Sequence, residues 1–222
     1  MEASSAGKGV VKRYERGSEE FSRTLALSDG VFAIAMTLLV VGIALPSLSD
    51  EGSAGDLLDA LNDLSPSVIS FFISFAVIAR YWVAHQQAFS MLASMDRGFI
   101  GFNLIYLAFL AFLPFPTDLL GNYFENPISI VAYAINVAIV SGMEVVLFRK
   151  AHRDGLLTER LPEDVYRWGV MASFSPVLFF LLSIPVAFLS TTAAVIVWFL
   201  GVPFGFLVVN RRKPAAADEY LR

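Results

Sequence analysis

The sixteen lysines and arginines of this chain are distributed on one side of its apolar segments, and that asymmetry constrains the fold more than any other feature. Apolar runs of about 20 residues, the length that crosses a bilayer, fall at roughly 25–46, 67–88, 99–119, 127–148, 169–189 and 191–209. At 1.5 Å per residue the first would be about 33 Å long, against a hydrocarbon core of about 30 Å. The last two are parted only by a tight turn in "LSTT", 189–192, so they read as a helical hairpin with Pro185 near its outer end. Lys8, Lys12, Arg13, Arg16 and Arg23 precede the first run; Arg80 and Arg97 end or follow the second; Arg149, Lys150, Arg153, Arg160 and Arg167 lie between the fourth and fifth; Arg211, Arg212, Lys213 and Arg222 follow the sixth. The connections 47–66, 120–126 and 189–192 hold no Lys or Arg. Six crossings with both termini cytoplasmic put every base inside, as the positive-inside rule requires, whereas an odd number would scatter them. The expected fold is an all-α membrane protein of six transmembrane helices. Residues 1–222 form one domain: a cytoplasmic segment 1–22, a six-helix unit 23–210 and a cytoplasmic tail 211–222.

Composition narrows the function classes. Hydrophobic residues make up 56% of the chain and charged residues 16%, against about 25% charged in a soluble domain. A slightly negative net charge with no basic stripe excludes nucleic acid as a natural partner. With no cysteine there are no disulfides, thiolate metal sites or cysteine nucleophiles, and His85 and His152 are too far apart in sequence to suggest a metal pair. No cofactor is expected. The polar start "MEASSAGKGVVKRYERGSEE" does not resemble a cleaved signal peptide, so the first apolar run is expected to serve as the membrane address. Between the first two runs, 56–64 reads as a short amphipathic helix, and 149–168 as a charged linker at the membrane surface.

The first run concentrates the chemistry. Gly30, Ile34, Thr37, Leu38, Val41 and Leu45 recur at helical spacing and share one face. Asp29 lies about 140° round the wheel from Ile34, so it faces a neighbouring helix. Arg23 is six residues before Asp29 and is a poor intrahelical partner for it. An ionisable group at this depth needs partners. The second run ends inward as "ARYWVAHQQAF", where Trp82 and His85 sit three apart at the depth of Arg23, Ser28 and Asp29. These five residues form the expected structural polar network, with Trp82 and His85 satisfying the carboxylate.

The stretch Arg23-Thr-Leu-Ala-Leu27-Ser28-Asp29 followed by "GVFAIAMTLLV", together with "YWVAHQQAF" at 81–89 and "NLIYLAFLAFLPFPTDLLG" at 103–121, resembles the transmembrane protein 175 family. Leu27 stands where that family has phenylalanine before Ser-Asp. The resemblance implies a potassium channel without a "TVGYG" filter, its pore lined by the first helix. Carried over by position, the apolar constriction falls on Ile34, Leu38 and Val41, with a hydroxyl layer at Thr37. One six-span unit implies a homotetramer in a bacterial or archaeal plasma membrane, with lipid, potassium ions and its own copies as partners.

Plainer roles stand beside these. An apolar stripe can face lipid, Thr37 can bond to its own helix's carbonyl, Trp82 can anchor at the interface and Arg80 can snorkel, and His85 can hold a structural hydrogen bond. Asn136, Ser141 and Glu144 can serve as interhelical glue. A proton-permeable channel or a proton-coupled transporter using Asp29 is the alternative function, although paired mid-span helix breaks typical of transporters are missing. An enzyme is not expected, because no His-Glu-x-x-His or Gly-x-Ser-x-Gly occurs.

Overall fold

The computed structural model describes residues 12–44, 53–204, 207 and 210–220. Expectations that rest on residues 1–11, on Leu45, on the loop start 47–52, on residues 205, 206, 208 and 209 of the sixth run and on Arg222 lie outside them.

The first helix, α1, runs Glu19–Leu38. Its start is set by Ser18, whose hydroxyl accepts the Phe21 N–H at 3.2 Å, and by Glu19 and Glu20, which complement the helix dipole in the first turn. At its outer end the α form tightens into a 3₁₀ turn over Leu39–Gly42. The helix therefore begins earlier than the apolar run and gives up α geometry before the run's expected end. The outer loop carries α2, Ala54–Asp63, opened by a Ser53–Asp56 capping box. The second crossing is α3, Ser65–Ser90. The third is one segment in two pieces, α4 at Arg97–Phe112 and α5 at Pro114–Asn122, because Pro114 has no N–H to continue the ladder. α6 spans Pro127–Arg153 and α7 spans Glu163–Ala187 with Pro176 and Pro185 inside it. After a three-residue turn α8 runs Thr191–Phe204, as the hairpin reading requires.

Among the described residues, five segments are long and apolar enough to cross a bilayer: Glu19–Gly42, Ser65–Ser90, Arg97–Asn122, Pro127–Arg153 and Glu163–Ala187. The described apolar part of α8, Thr191–Gly201, is shorter than a crossing. α6 is the central post, packed against α7, α4 and α5, and Tyr133, Ile130 and Val137 on it are fully buried.

The fold is mostly helical, with one addition at the end that the charge pattern assigns to the cytoplasm. A strand β1, Arg13–Glu15, pairs antiparallel with β2, Ser94–Asp96, Arg13 opposite Asp96. Segments this short carry no hydrophobic period that a sequence reading could detect. The Arg13 guanidinium donates to the carbonyls of Asp154 at 2.7 Å and Gly155 at 3.2 Å, and Arg16 to that of Ser90 at 2.7 Å. Gly155, at φ +64°, closes α6: its N–H bonds to His152 and the Leu156 N–H to Ala151, satisfying orphan carbonyls. Lys150 bridges Asp154 at 2.6 Å and Asp96 at 3.2 Å, and Asp96 in turn caps α4 through the Phe99 N–H. The Arg153 and Lys150 hydrogen bonds hold the Asp154 carboxyl below its ordinary pKa. The N-terminal end of α1 is thus tied to the adjoining ends of α3, α4 and α6.

Candidate functional site

Two polar ladders attach the inner half of α1 to its neighbours. In the first, Asp29 accepts from the Trp82 indole N–H at 3.0 Å and from the Gln86 amide. Trp82 and Gln86 are four apart on α3, so both present toward the same point of α1. Asp29 is half-buried here and points sideways from the Ile34 row, as the wheel requires.

The second ladder is buried. The Ser28 hydroxyl donates to the Thr24 carbonyl at 2.9 Å and accepts from the Asn103 amide at 3.0 Å. The Asn103 carbonyl meets His85 Nε2 at 3.0 Å. Ser28 and Asn103 are fully enclosed and His85 is 3% exposed, so an unmade bond in this ladder would cost about 1–3 kcal/mol. Because Ser28 gives its own proton to Thr24, Asn103 must offer it the NH₂ group, which leaves the Asn103 oxygen facing His85. His85 therefore carries its proton on Nε2. The imidazole is wedged among rings: its centroid lies 4.0 Å from Phe89, 5.3 Å from Phe32 and 5.7 Å from Tyr106.

Four of the five residues expected in the network are engaged, though along two lines rather than around one carboxylate. His85 serves Ser28 through Asn103, not Asp29. Arg23 joins neither line: it pairs with Glu19 one turn back at 3.6 Å, both side chains 80% exposed, an arrangement worth little in solvent. Asn103 and Gln86 were not singled out by sequence reasoning. Asn103 could have been, since an amide in the middle of "GFNLIYLAF" has no partner on its own apolar helix.

On the other side of α1 the row Ile34, Leu38 and Val41 is exposed at 58%, 45% and 74%, while Phe21, Ser28, Phe32, Ala35 and Leu39 pack inward. The 3₁₀ turn helps: side chains three apart eclipse one another in that geometry, which carries Val41 over Leu38. Thr37 is also exposed, and its hydroxyl donates to the Ile34 carbonyl at 2.9 Å. As the donor in that bond, the oxygen keeps its lone pairs free. Among the described residues no cluster of acids and histidines could hold a metal.

The family model described as "Endosomal/lysosomal potassium channel TMEM175" matches residues 23–114, a stretch that contains every side chain of both ladders. A protein from Chamaesiphon minutus, named a potassium channel, is 38% identical over 142 residues, 64% of this chain and 69% of its own length. The chain belongs to the TMEM175 family. Another TMEM175 relative, named a potassium channel of Streptomyces collinus, is 40% identical over 125 residues, 56% of this chain and 59% of that protein. The crystal structure of a lysosomal potassium-selective channel TMEM175 homolog from Chamaesiphon minutus superposes with a TM-score of 0.70 at 30% identity, over 87% of this chain and 100% of that one. These relatives are membrane channels, not enzymes. The sequence resemblance and the fold agree.

Proposed function

We propose that this TMEM175 protein is a potassium-conducting channel of the cell membrane, formed by four copies with α1 of each around the central axis. Ile34, Leu38 and Val41 then make an apolar constriction that is both gate and selectivity element, and Thr37 adds a hydroxyl layer. The observation that carries the reading is the exposed Ile34–Leu38–Val41 row on a helix whose opposite sides are held by two polar ladders. The potassium-channel names of the two bacterial relatives supply the ion.

Rings of isoleucine, leucine and valine close a pore by excluding water, with no plug. A potassium ion meeting the ring must shed part of its hydration shell, and Thr37 oxygens just beside it can replace some of that water. Opening widens the ring by rotating or splaying the four α1 helices, and the anchored inner ends confine that movement to the outer half. The proton-permeable alternative draws no support from the row, because neither Asp29 nor His85 lies on it and a proton relay needs a titratable group there.

The test is passive flux from liposomes holding potassium, sodium and proton gradients in turn. Potassium efflux without a coupled ion supports the reading, and Ile34→Ser should raise it about tenfold, equivalent to about 1.4 kcal/mol off the barrier. Flux that stalls without a co-transported ion contradicts it.

A further inference from the structure

Behind His85 lies a small cavity of about 20 Å³, walled mostly by Phe89, Phe99, Leu147 and other apolar side chains, with His85, Tyr106 and Glu144 also on its lining. Two polar atoms buried there have no protein partner, His85 Nδ1 and the Tyr106 hydroxyl. They do not satisfy each other directly, although the two rings stack with planes 14° from parallel and centroids 5.7 Å apart. Their chemistry is complementary all the same. With the proton on Nε2, Nδ1 is a pure acceptor, and Tyr106 Oη is a donor with nothing to receive it.

We propose that this cavity is a binding site for a single ordered water molecule. It accepts from Tyr106 Oη, donates to His85 Nδ1 and turns its second O–H toward the Glu144 carboxyl group of α6. The volume suits one water and little more. A dehydrated potassium ion is excluded, because the wall offers it far fewer oxygens than the six to eight a large cation takes. Bound in this way, the water extends the Ser28–Asn103–His85 ladder from α1, through α4 and α3, to an acid on the central post α6. Glu144 thereby gains a place on the line that fixes α1.

The chain has only two histidines, His85 and His152, so His152→Gln leaves His85 as a lone reporter. Solid-state NMR of the ¹⁵N-histidine-labelled full-length protein in liposomes should show a neutral ring protonated at Nε2, an Nδ1 shift typical of a hydrogen-bonded acceptor, and a cross-peak from Nδ1 to water. Tyr106→Phe should weaken that cross-peak while leaving the tautomer unchanged, since Asn103 sets it. An Nδ1 with the shift of a free lone pair and no water cross-peak, or a ring protonated at Nδ1, overturns the proposal. None of these readouts depends on conduction, so the site stands or falls apart from the channel reading.

Discussion

α1 and α7 are equally apolar, and in each only 22% of the apolar stretch is buried within the chain, yet their exposed faces differ in kind. α7 presents Phe174, Leu178, Leu181 and Leu182, long side chains that suit acyl chains. α1 presents Gly30, Ile34, Thr37 and Leu38, a narrower face with a hydroxyl in it. Their attachments differ more. α7 packs on α6 and α8 largely through apolar contacts, joined among the described residues by a bond from the Trp198 indole to Ser183 at 2.7 Å. Apolar contacts have no directionality and tolerate a helix rolling about its axis. α1 is fixed on two sides by bonds that fail if it rolls, Asp29 to α3 and Ser28 to α4. Exposure alone therefore does not separate a pore face from a lipid face; a helix that must hold one side chain at a set angle is the one pinned by directional bonds.

The largest expected effect comes from Asn103→Leu, which strands both Ser28 and His85 at a cost of about 1–3 kcal/mol for each group. Thermal unfolding in detergent should show the loss, and potassium flux should fall with it. Ser183→Ala strands only the Trp198 N–H and should cost about 1–3 kcal/mol while flux is retained. Equal loss of flux in both variants would break the comparison. A middle-sized effect is expected of Asp29→Asn. The amide oxygen still accepts from Trp82 and Gln86, but the charge that roughly doubles such bonds is gone, so assembly or open probability should drop by the equivalent of about 1 kcal/mol with ion preference unchanged. Arg23→Ala should stay within about 0.5 kcal/mol of the parent in the same assays, since its pair is exposed. A changed potassium-to-sodium ratio in Asp29→Asn would place that carboxylate in the ion path.

A pH-dependent effect concerns the tie made by Asp154 and Lys150. With its folded-state pKa depressed below 3.8, Asp154 contributes stability that is present above that pH and lost as pH falls through the lower folded value. The melting difference between the parent and Asp154→Asn should accordingly be constant near neutrality and vanish in acid below pH 3.8. A difference that persists there would mean the carboxylate is not what binds the tie together.

Much of this architecture was legible in the residues. Apolar length and the one-sided bases located the helices, and the 100° step turned Asp29 away from Ile34 toward α3. The pairing of Asp29 with Trp82 followed from matched depth alone. What escaped were contacts without local pattern. His85 is three residues from Trp82 on the same helix, but the 60° between them is enough to send one to Asp29 and the other to Asn103, and only packing decides which. The boundaries of α1 shifted because Ser18 and two glutamates can start a helix in polar sequence, while at Leu39–Gly42 helix-disfavouring valines and a glycine let 3₁₀ geometry take over. The Arg13–Asp96 strand pairing joins residues more than eighty positions apart, a distance at which three-residue segments leave no trace.

In the proposed channel Ile34 faces the ion path and the α7 face does not. Since the chain contains no cysteine, Ile34→Cys and Leu182→Cys each introduce a single thiol, and silver ions applied during potassium-current recording report which one the path reaches. Block of Ile34→Cys with Leu182→Cys currents untouched is the expected result. Block of Leu182→Cys with Ile34→Cys insensitive would contradict the account.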